Sequence, residues 1–189
     1  MKTTEMVAIG CSAGGLSALQ VVLGGLAPNL HAVVVIVSHT ASSDVQMMCD
    51  LLARYSPLPV VEATERCALR SGVVHVAPSG YHLLIGKDRR FELSLDPKVC
   101  FVRPSIDVLF ESAADVYGDR LAGVILTGAN HDGAQGLQRI RRLGGLGIVQ
   151  DPAEAEAPVM PQTALELAGA DYCLPLAQIA LQINRICLS

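Results

Sequence analysis

The amino-acid sequence predicts an α/β protein with a doubly wound, mainly parallel sheet flanked by helices. Continuous apolar, β-branched runs such as residues 32–37 alternate with amphipathic helical patterns, as expected of strands buried on both faces. Hydrophobic residues make up 51% of the 189 residues and aromatics only 4%, which indicates an aliphatic core. The chain therefore has the composition of a buried parallel sheet.

The first third of the chain predicts a β-α-β unit followed by a second helix and strand. The first strand runs into a glycine-rich turn at residues 10–15, and the helix after it has apolar residues at helical spacing. The predicted elements are a strand at 6–10, a helix at 16–26, a strand at 32–37, a helix at 45–54 and a strand at 58–62.

The pattern changes between residues 72 and 96, where strands follow each other without helices. Short turn-forming stretches at residues 79–80 and 87–90 separate them. This segment predicts a small antiparallel β excursion, with strands at 73–78, 82–86 and 91–95.

Helical periodicity returns after Pro104, and Ser105 is a suitable N-cap for the helix that follows. The remaining predicted elements are a helix at 106–117, a strand at 121–126, a helix from 134 to about 144, a strand at 147–150, a helix at 162–167, a strand at 171–174 and a helix at 176–186. No linker or repeat divides the chain, so we expect a single domain over residues 1–189.

Charge and cysteine usage limit the function classes. A net charge of −4 argues against a nucleic-acid partner, and the short basic cluster at residues 139–142 is read as the solvated end of a helix. The six cysteines lack C-x-x-C or zinc-finger spacing, which favours reduced thiols in the cytoplasm. No stretch reaches the roughly 18 apolar residues of a membrane span, and nothing calls for a metal or cofactor.

Three polar residues follow three predicted strands. Ser12 lies in a G-x-S-x-G turn after the first strand, His39 follows the second, and Asp132 follows the strand at 121–126. Because active sites of open parallel sheets lie at the carboxyl ends of the strands, these residues predict a catalytic triad. Ser12 would be the nucleophile, His39 the general base and Asp132 the residue that fixes the imidazole.

Each of these residues also has a simpler reading. Ser12 and Asp132 could cap the helices that follow them, and His39 could be a solvated loop histidine. The glycine turn could instead cradle a phosphate, although it lacks the full G-x-G-x-x-G of dinucleotide-binding folds. Four other histidines compete for the role of base: His131 and His82 by position, and His31 and His75, which we read as structural.

Several ordered blocks of sequence together resemble the catalytic domain of the chemotaxis protein-glutamate methylesterases, the CheB family. The triad order Ser, His, Asp also separates this chain from ordinary α/β-hydrolases, in which the acid precedes the histidine. The blocks that carry the resemblance are residues 9–15, 38–39, 76–84, 103–110, 126–134, 150–151 and 160–161.

The resemblance implies a catalytic set of Ser12, His39 and Asp132 and the hydrolysis of γ-glutamyl methyl esters. Some members of the family also deamidate glutamine. The implied partners are a methylated chemoreceptor or similar signalling protein and a separate receiver protein, since we find no receiver sequence in this chain.

Two positions depart from the family pattern. Ala13 stands where a hydroxyl residue is typical, and the G-M-G-x-D-G loop is replaced by residues 128–133, with Ala129 at the methionine position. These departures leave open a second hypothesis, in which the chain is a catalytically weak homologue that serves as a binding module in a signalling complex.

Overall fold

The computed structural model describes residues 3–39 and 44–188. Its strands are β1 Met6–Cys11, β2 Val33–Ser38, β3 Val60–Glu62, β4 Val74–Val76, β5 His82–Ile85, β6 Phe91–Ser94, β7 Leu121–Ile125, β8 Leu146–Gln150 and β9 Tyr172–Leu174. Its α-helices are α1 Gly15–Gly24, α2 Val45–Ala53, α3 Ile106–Tyr117, α4 Ala134–Arg142, α5 Val159–Leu167 and α6 Leu176–Leu188, with a 3₁₀ turn at Gly118–Arg120.

Seven strands form one parallel sheet in the order β3-β4-β2-β1-β7-β8-β9. The chain builds outward from β1 in one direction through β2 and in the other through β7. The strand order therefore reverses at β1, and loops that follow β1, β2 and β7 meet at this switch point. The predicted doubly wound α/β fold is confirmed.

The antiparallel part is smaller than the sequence pattern suggested. Among the nine strands of the described residues, only β5 and β6 pair antiparallel, with His82 opposite Ser94 and Ile85 opposite Phe91. The segment at 73–78, which we expected within the antiparallel excursion, instead supplies β4 to the parallel sheet between β3 and β2. All three residues of β4 are buried, which fits an interior strand better than a surface hairpin.

Both faces of the sheet are covered by helices. Alternate side chains of β1 point to opposite faces, so Val7 and Ile9 belong to one core cluster and Met6 and Ala8 to the other. The first cluster packs under α1 and α6, and the second under α3 and α4. Burial on both faces explains why the strands are continuous apolar runs rather than alternating ones.

Helix α5 begins at Val159, three residues before the predicted start at 162. Pro161 falls in the first turn of this helix, where backbone N–H groups have no partner within the helix and proline is tolerated. Within the described residues, none of the helices has the length and apolar character needed to cross a bilayer.

Candidate active site

Ser12 follows β1 directly, in the turn that leads into α1. Its backbone N–H donates to the Thr127 carbonyl at 2.9 Å, and its own carbonyl accepts from Gly15 N–H at 2.8 Å. The N-cap of α1 is Gly14, at φ 74°, and no side chain caps this helix. The reading of Ser12 as a helix cap is therefore wrong, and its hydroxyl is available for chemistry.

His39 follows β2, the strand that neighbours β1. Because Cys11 pairs with Ser38 in the parallel register, Ser12 and His39 leave the sheet side by side, and His39 N–H donates to the Cys11 carbonyl at 3.1 Å. The imidazole is 8% exposed, so it is not a solvated loop histidine. Ser12 and His39 line the same cavity of about 370 Å³.

Asp132 is fully buried and lies against the N-terminus of α3 rather than capping its own helix. Its Oδ2 accepts from Ile106 N–H at 2.6 Å and its Oδ1 from Asp107 N–H at 3.0 Å, while the Ser105 hydroxyl donates to Oδ1 at 2.7 Å. The N-cap of α4 is Gly133, with no side-chain cap. The carboxylate thus occupies the position at a helix N-terminus that favours an anion.

His39 Nε2 lies 2.9 Å from Asp132 Oδ2, so the structure joins two of the three residues predicted from sequence. Burial opposes ionisation of the carboxyl, yet its hydrogen bonds, led by the one from His39, outweigh burial and hold the pKa of Asp132 below its ordinary value. An ionised Asp132 can only accept a hydrogen bond, and the imidazole proton is therefore on Nε2.

Asn130 fixes the same tautomer from the other side of the ring. Its Oδ1 accepts from Asp132 N–H at 3.1 Å, which leaves its amide nitrogen facing His39 Nδ1 at 3.2 Å. An amide NH₂ group can only donate, so Nδ1 carries the lone pair. The nitrogen that would take a proton from Ser12 is consequently Nδ1.

Ser12 Oγ and His39 share a cavity but are not hydrogen-bonded to each other in the part of the chain that the structure describes. Catalytic hydrogen bonds often tighten only when substrate binds, so this geometry is compatible with a serine and its base. The sequence-predicted acid and base are in contact, and the predicted nucleophile lies beside them.

The other histidines lie elsewhere. His131 Nδ1 contacts Thr163 Oγ1 at 3.0 Å and so faces α5, away from the Asp132 carboxylate. His82 is buried and accepts Ser105 N–H at 3.2 Å through Nδ1. His75 accepts Arg70 N–H, and burial lowers the pKa of His75 to about 4, as expected for a structural histidine. His31 is exposed.

Ser105 and Thr127, like Asn130, were missed as functional residues by the sequence analysis. Ser105 was recognised only as the α3 N-cap, where it does accept Val108 N–H at 3.4 Å. Thr127 ties the ends of β1 and β7 together, since its hydroxyl donates to the Ala13 carbonyl at 2.9 Å and accepts from Ala157 N–H at 2.8 Å. A threonine at a strand end gives no sequence signal for this bridge.

The cavity that holds Ser12 has an acidic side. Glu156 lines it and packs over Gly14, where an added Cβ would lie only 2.7 Å from Glu156 Oε2. Glycine is therefore required at position 14 for two reasons: the positive φ angle and the close approach of Glu156. The Glu156 carboxylate therefore lies in the same cavity as Ser12.

One group of side chains has the proximity of a metal site. Donor atoms of Cys100, Asp107 and Asp132 lie within 4.8 Å of one another. Both carboxylates already accept backbone N–H groups, from Gly136 to Asp107 and from the α3 N-terminus to Asp132. This arrangement satisfies the carboxylates through the backbone, so we assign them no ligating role.

Comparison with known proteins extends these observations. The family model for the CheB methylesterase matches residues 7–183. The crystal structure of the Thermotoga maritima CheB methylesterase catalytic domain superposes with a TM-score of 0.93 at 30% identity, covering 97% of this chain and 99% of that one.

Two curated relatives differ in length. A Leptospira interrogans relative, provisionally named a protein-glutamate methylesterase/protein-glutamine glutaminase, is 47% identical over 182 residues that cover 96% of this chain and 94% of the relative. A Symbiobacterium thermophilum protein-glutamate methylesterase/protein-glutamine glutaminase is 39% identical, and this chain spans about half of its length. The match over most of the chain, in sequence and in fold, confirms the resemblance: this chain belongs to the CheB methylesterase family.

Proposed function

We propose that this chain is a serine hydrolase that removes methyl groups from glutamate methyl esters of a chemoreceptor or related signalling protein. The observation that carries the proposal is the contact between His39 and the buried Asp132, with Ser12 on the wall of the same cavity. Membership of the CheB family supplies the substrate class. The names of the relatives add deamidation of glutamine as a second activity of the same site.

Acylation follows from the tautomer. Ser12 Oγ attacks the carbonyl carbon of the glutamyl ester while its proton passes to His39 Nδ1, and Asp132 stabilises the resulting imidazolium through Nε2. The tetrahedral intermediate then collapses, and the methoxide leaving group takes the proton from Nδ1 and departs as methanol. For a glutamine substrate the leaving group is ammonia.

Deacylation repeats these steps with water. The water molecule gives one proton to His39 Nδ1 and attacks the acyl carbon, and the proton returns to Ser12 Oγ as the glutamate carboxyl product is released. Each turnover consumes one ester and one water and yields one carboxylic acid and one methanol.

The oxyanion that forms in both steps needs hydrogen-bond donors. The Ser12 and Gly15 amides are already committed to Thr127 and Ser12 carbonyls. The structure records no acceptor for the Ala13 amide among the residues it describes, and this amide lies at the N-terminal end of α1. We assign the backbone N–H of Ala13 to the oxyanion site.

The alternative function, a catalytically weak homologue that acts as a binding module, has one observation in its favour. Asn130 donates to the nitrogen that the base must use. Ala13 and Ala129 argue less strongly for it, because both are exposed and neither leaves a hole in the core. The role proposed for Ala13 is carried by its backbone N–H, which does not depend on the side chain.

The experiment is methanol release from a methyl-labelled chemoreceptor, compared between the wild-type chain and Ser12→Ala. Loss of a triad nucleophile lowers turnover by about 10³-fold or more while a small residue keeps the fold. Ser17→Ala, on the wall of the same cavity but outside the reaction steps, is the matched serine control. If the wild-type chain releases no methanol and Ser12 does not react with a phosphonylating probe, the binding module becomes the better assignment.

The cellular compartment and the regulatory partner are also part of the proposal. We place the chain in the cytoplasm as one catalytic domain, with a receiver protein as a separate partner. All six cysteines are free thiols, which accords with a reducing compartment.

A further inference from the structure

A strained hairpin lies beside the candidate active site. Val99 and Val102 pair through two backbone hydrogen bonds of 3.2 and 2.9 Å, so Cys100 and Phe101 form a two-residue turn. Their φ angles are 49° and 66°. Turns of this kind favour Asn-Gly, because both central residues need positive φ, and an aromatic side chain at such a position is strained.

Phe101 is also 94% exposed. The side chain therefore contributes almost no buried area to the folded state while its backbone adopts an unfavourable conformation. Residues held in strained conformations cluster at functional sites, and exposed aromatic side chains are common anchors of protein interfaces. The turn has the properties of a contact surface rather than of a structural corner.

The turn adjoins the catalytic residues. Phe101 lines a cavity of about 200 Å³ together with His39 and Met48, and Met48 also lines the cavity that holds Ser12. Cys100 Sγ lies within 4.8 Å of a carboxylate oxygen of Asp132. A protein segment that places an ester at Ser12 would therefore pass close to Phe101.

The hairpin is held in place by its flanks. Arg103 Nη1 donates to the carbonyls of Leu95 and Asp96 at 2.9 and 3.1 Å, which ties the second arm to the chain before the turn. Exposed Met47 lines the Ser12 cavity, which shares His39 and Met48 with the cavity that Phe101 lines. Each of the two cavities that contain His39 therefore has an exposed apolar side chain on its wall.

We propose that Phe101 is a docking anchor for the protein segment that carries the glutamate methyl ester, and that it packs against apolar side chains of that segment. This inference rests on the proposed function. Lys98, on the same cavity wall, offers a positive charge to carboxylates of that segment. The anchor recognises a protein surface, and a small ester does not need it.

The test compares two substrates with Phe101→Gly and Phe101→Tyr. The ratio of kcat/KM for the methylated receptor to kcat/KM for p-nitrophenyl acetate falls about fivefold or more in Phe101→Gly. Phe101→Tyr, which keeps the aromatic ring, restores most of this ratio. In the Ser12→Ala background, Phe101→Gly also raises the Kd for the methylated receptor. Because this background lacks the nucleophile, the change in Kd reports docking and not chemistry.

Stability distinguishes docking from a structural role. Glycine suits the positive φ, so Phe101→Gly raises the midpoint of urea unfolding or leaves it unchanged while the substrate ratio falls. Leu181→Ser, an exposed apolar residue of α6, is the control that changes neither.

Three results would overturn the proposal. The first is a ratio of the two kcat/KM values that Phe101→Gly leaves unchanged, and the second is a lower unfolding midpoint for this variant. The third is a wild-type dimer that dissociates on this substitution, because a second copy of the chain would then be the occupant. Absence of receptor demethylation by the wild-type chain would instead remove the proposed function.

Discussion

The side-chain amide of Asn130 donates across 3.2 Å to Nδ1 of His39, the nitrogen that accepts the proton of Ser12 in the proposed mechanism. Asp132 already fixes the tautomer from the Nε2 side, so the Asn130 bond adds little orientation. It does stabilise the neutral imidazole, and it is lost when Nδ1 becomes protonated. An interaction stronger in the ground state than in the transition state slows the reaction.

We therefore expect Asn130→Ser to raise turnover. Serine can accept Asp132 N–H as Asn130 Oδ1 does, but it is too short to reach the ring. One hydrogen bond lost from the ground state corresponds to a rise in kcat of about three- to tenfold. The measurement is steady-state hydrolysis of a small ester, with His131→Ala as a neighbouring control that leaves the rate unchanged. A fall in kcat would show that Asn130 orients the ring instead.

Ser105→Ala should lower both stability and activity. It removes the hydroxyl that donates to Asp132 Oδ1 and the side-chain cap of α3. We expect the free energy of unfolding to fall by about 1–2 kcal/mol and kcat by about tenfold. Ser112→Ala is the matched control, because Ser112 bonds backbone groups of α3 and β5 away from Asp132. If both variants lose stability and activity alike, Ser105 acts only through the fold.

The stability of the protein should carry a pH dependence from Asp107. Burial, together with the charge of Asp132, raises the pKa of Asp107 from 3.8 to about 6. The folded state therefore holds this proton more tightly than the unfolded state, and stability falls as the pH rises from about 4 through 6. Asp107→Asn should remove this component of the slope, whatever it does to stability at one pH.

Urea unfolding at half-unit steps of pH between 4 and 7 measures the Asp107 effect. The free energy of unfolding of the wild type, minus that of Asp107→Asn, should decrease as the pH increases over this range. Asp132 contributes in the opposite direction and at lower pH, because its lowered pKa stabilises the fold until the carboxylate is protonated below about 3.8. A difference that is flat from pH 4 to 6 would contradict the assignment.

Glu156→Gln should strengthen inhibition by the product. The Glu156 carboxylate lines the Ser12 cavity, where it repels the glutamate carboxylate formed by hydrolysis but not the neutral ester. Because Glu156 is exposed, we expect an effect of about two- to threefold on the product Ki at low salt, which disappears at high salt. Glu166→Gln on α5 is the control. Equal Ki values for wild type and Glu156→Gln at low salt would exclude this role.

The sequence alone determined the parallel sheet and the three strand ends that carry Ser12, His39 and Asp132. Burial on both faces requires continuous apolar runs, and parallel strands bring their carboxyl ends to one edge of the sheet. The hydrophobic pattern and the order of the elements were therefore sufficient to predict both features. The same local signals misplaced β4, because a short apolar strand with no helix after it reads the same in a hairpin and in a parallel sheet.

Only the tertiary structure decided how the acid and base are held. The Asp132 carboxylate accepts amides of α3, which begins 26 residues earlier in the chain, and sequence spacing cannot report which helix N-terminus faces which carboxylate. Asn130 and His39, 91 residues apart, meet only because β7 and β2 flank the same strand. The residue types could be read from the sequence, whereas the tautomer of His39 depends on contacts that the strand order of the sheet creates.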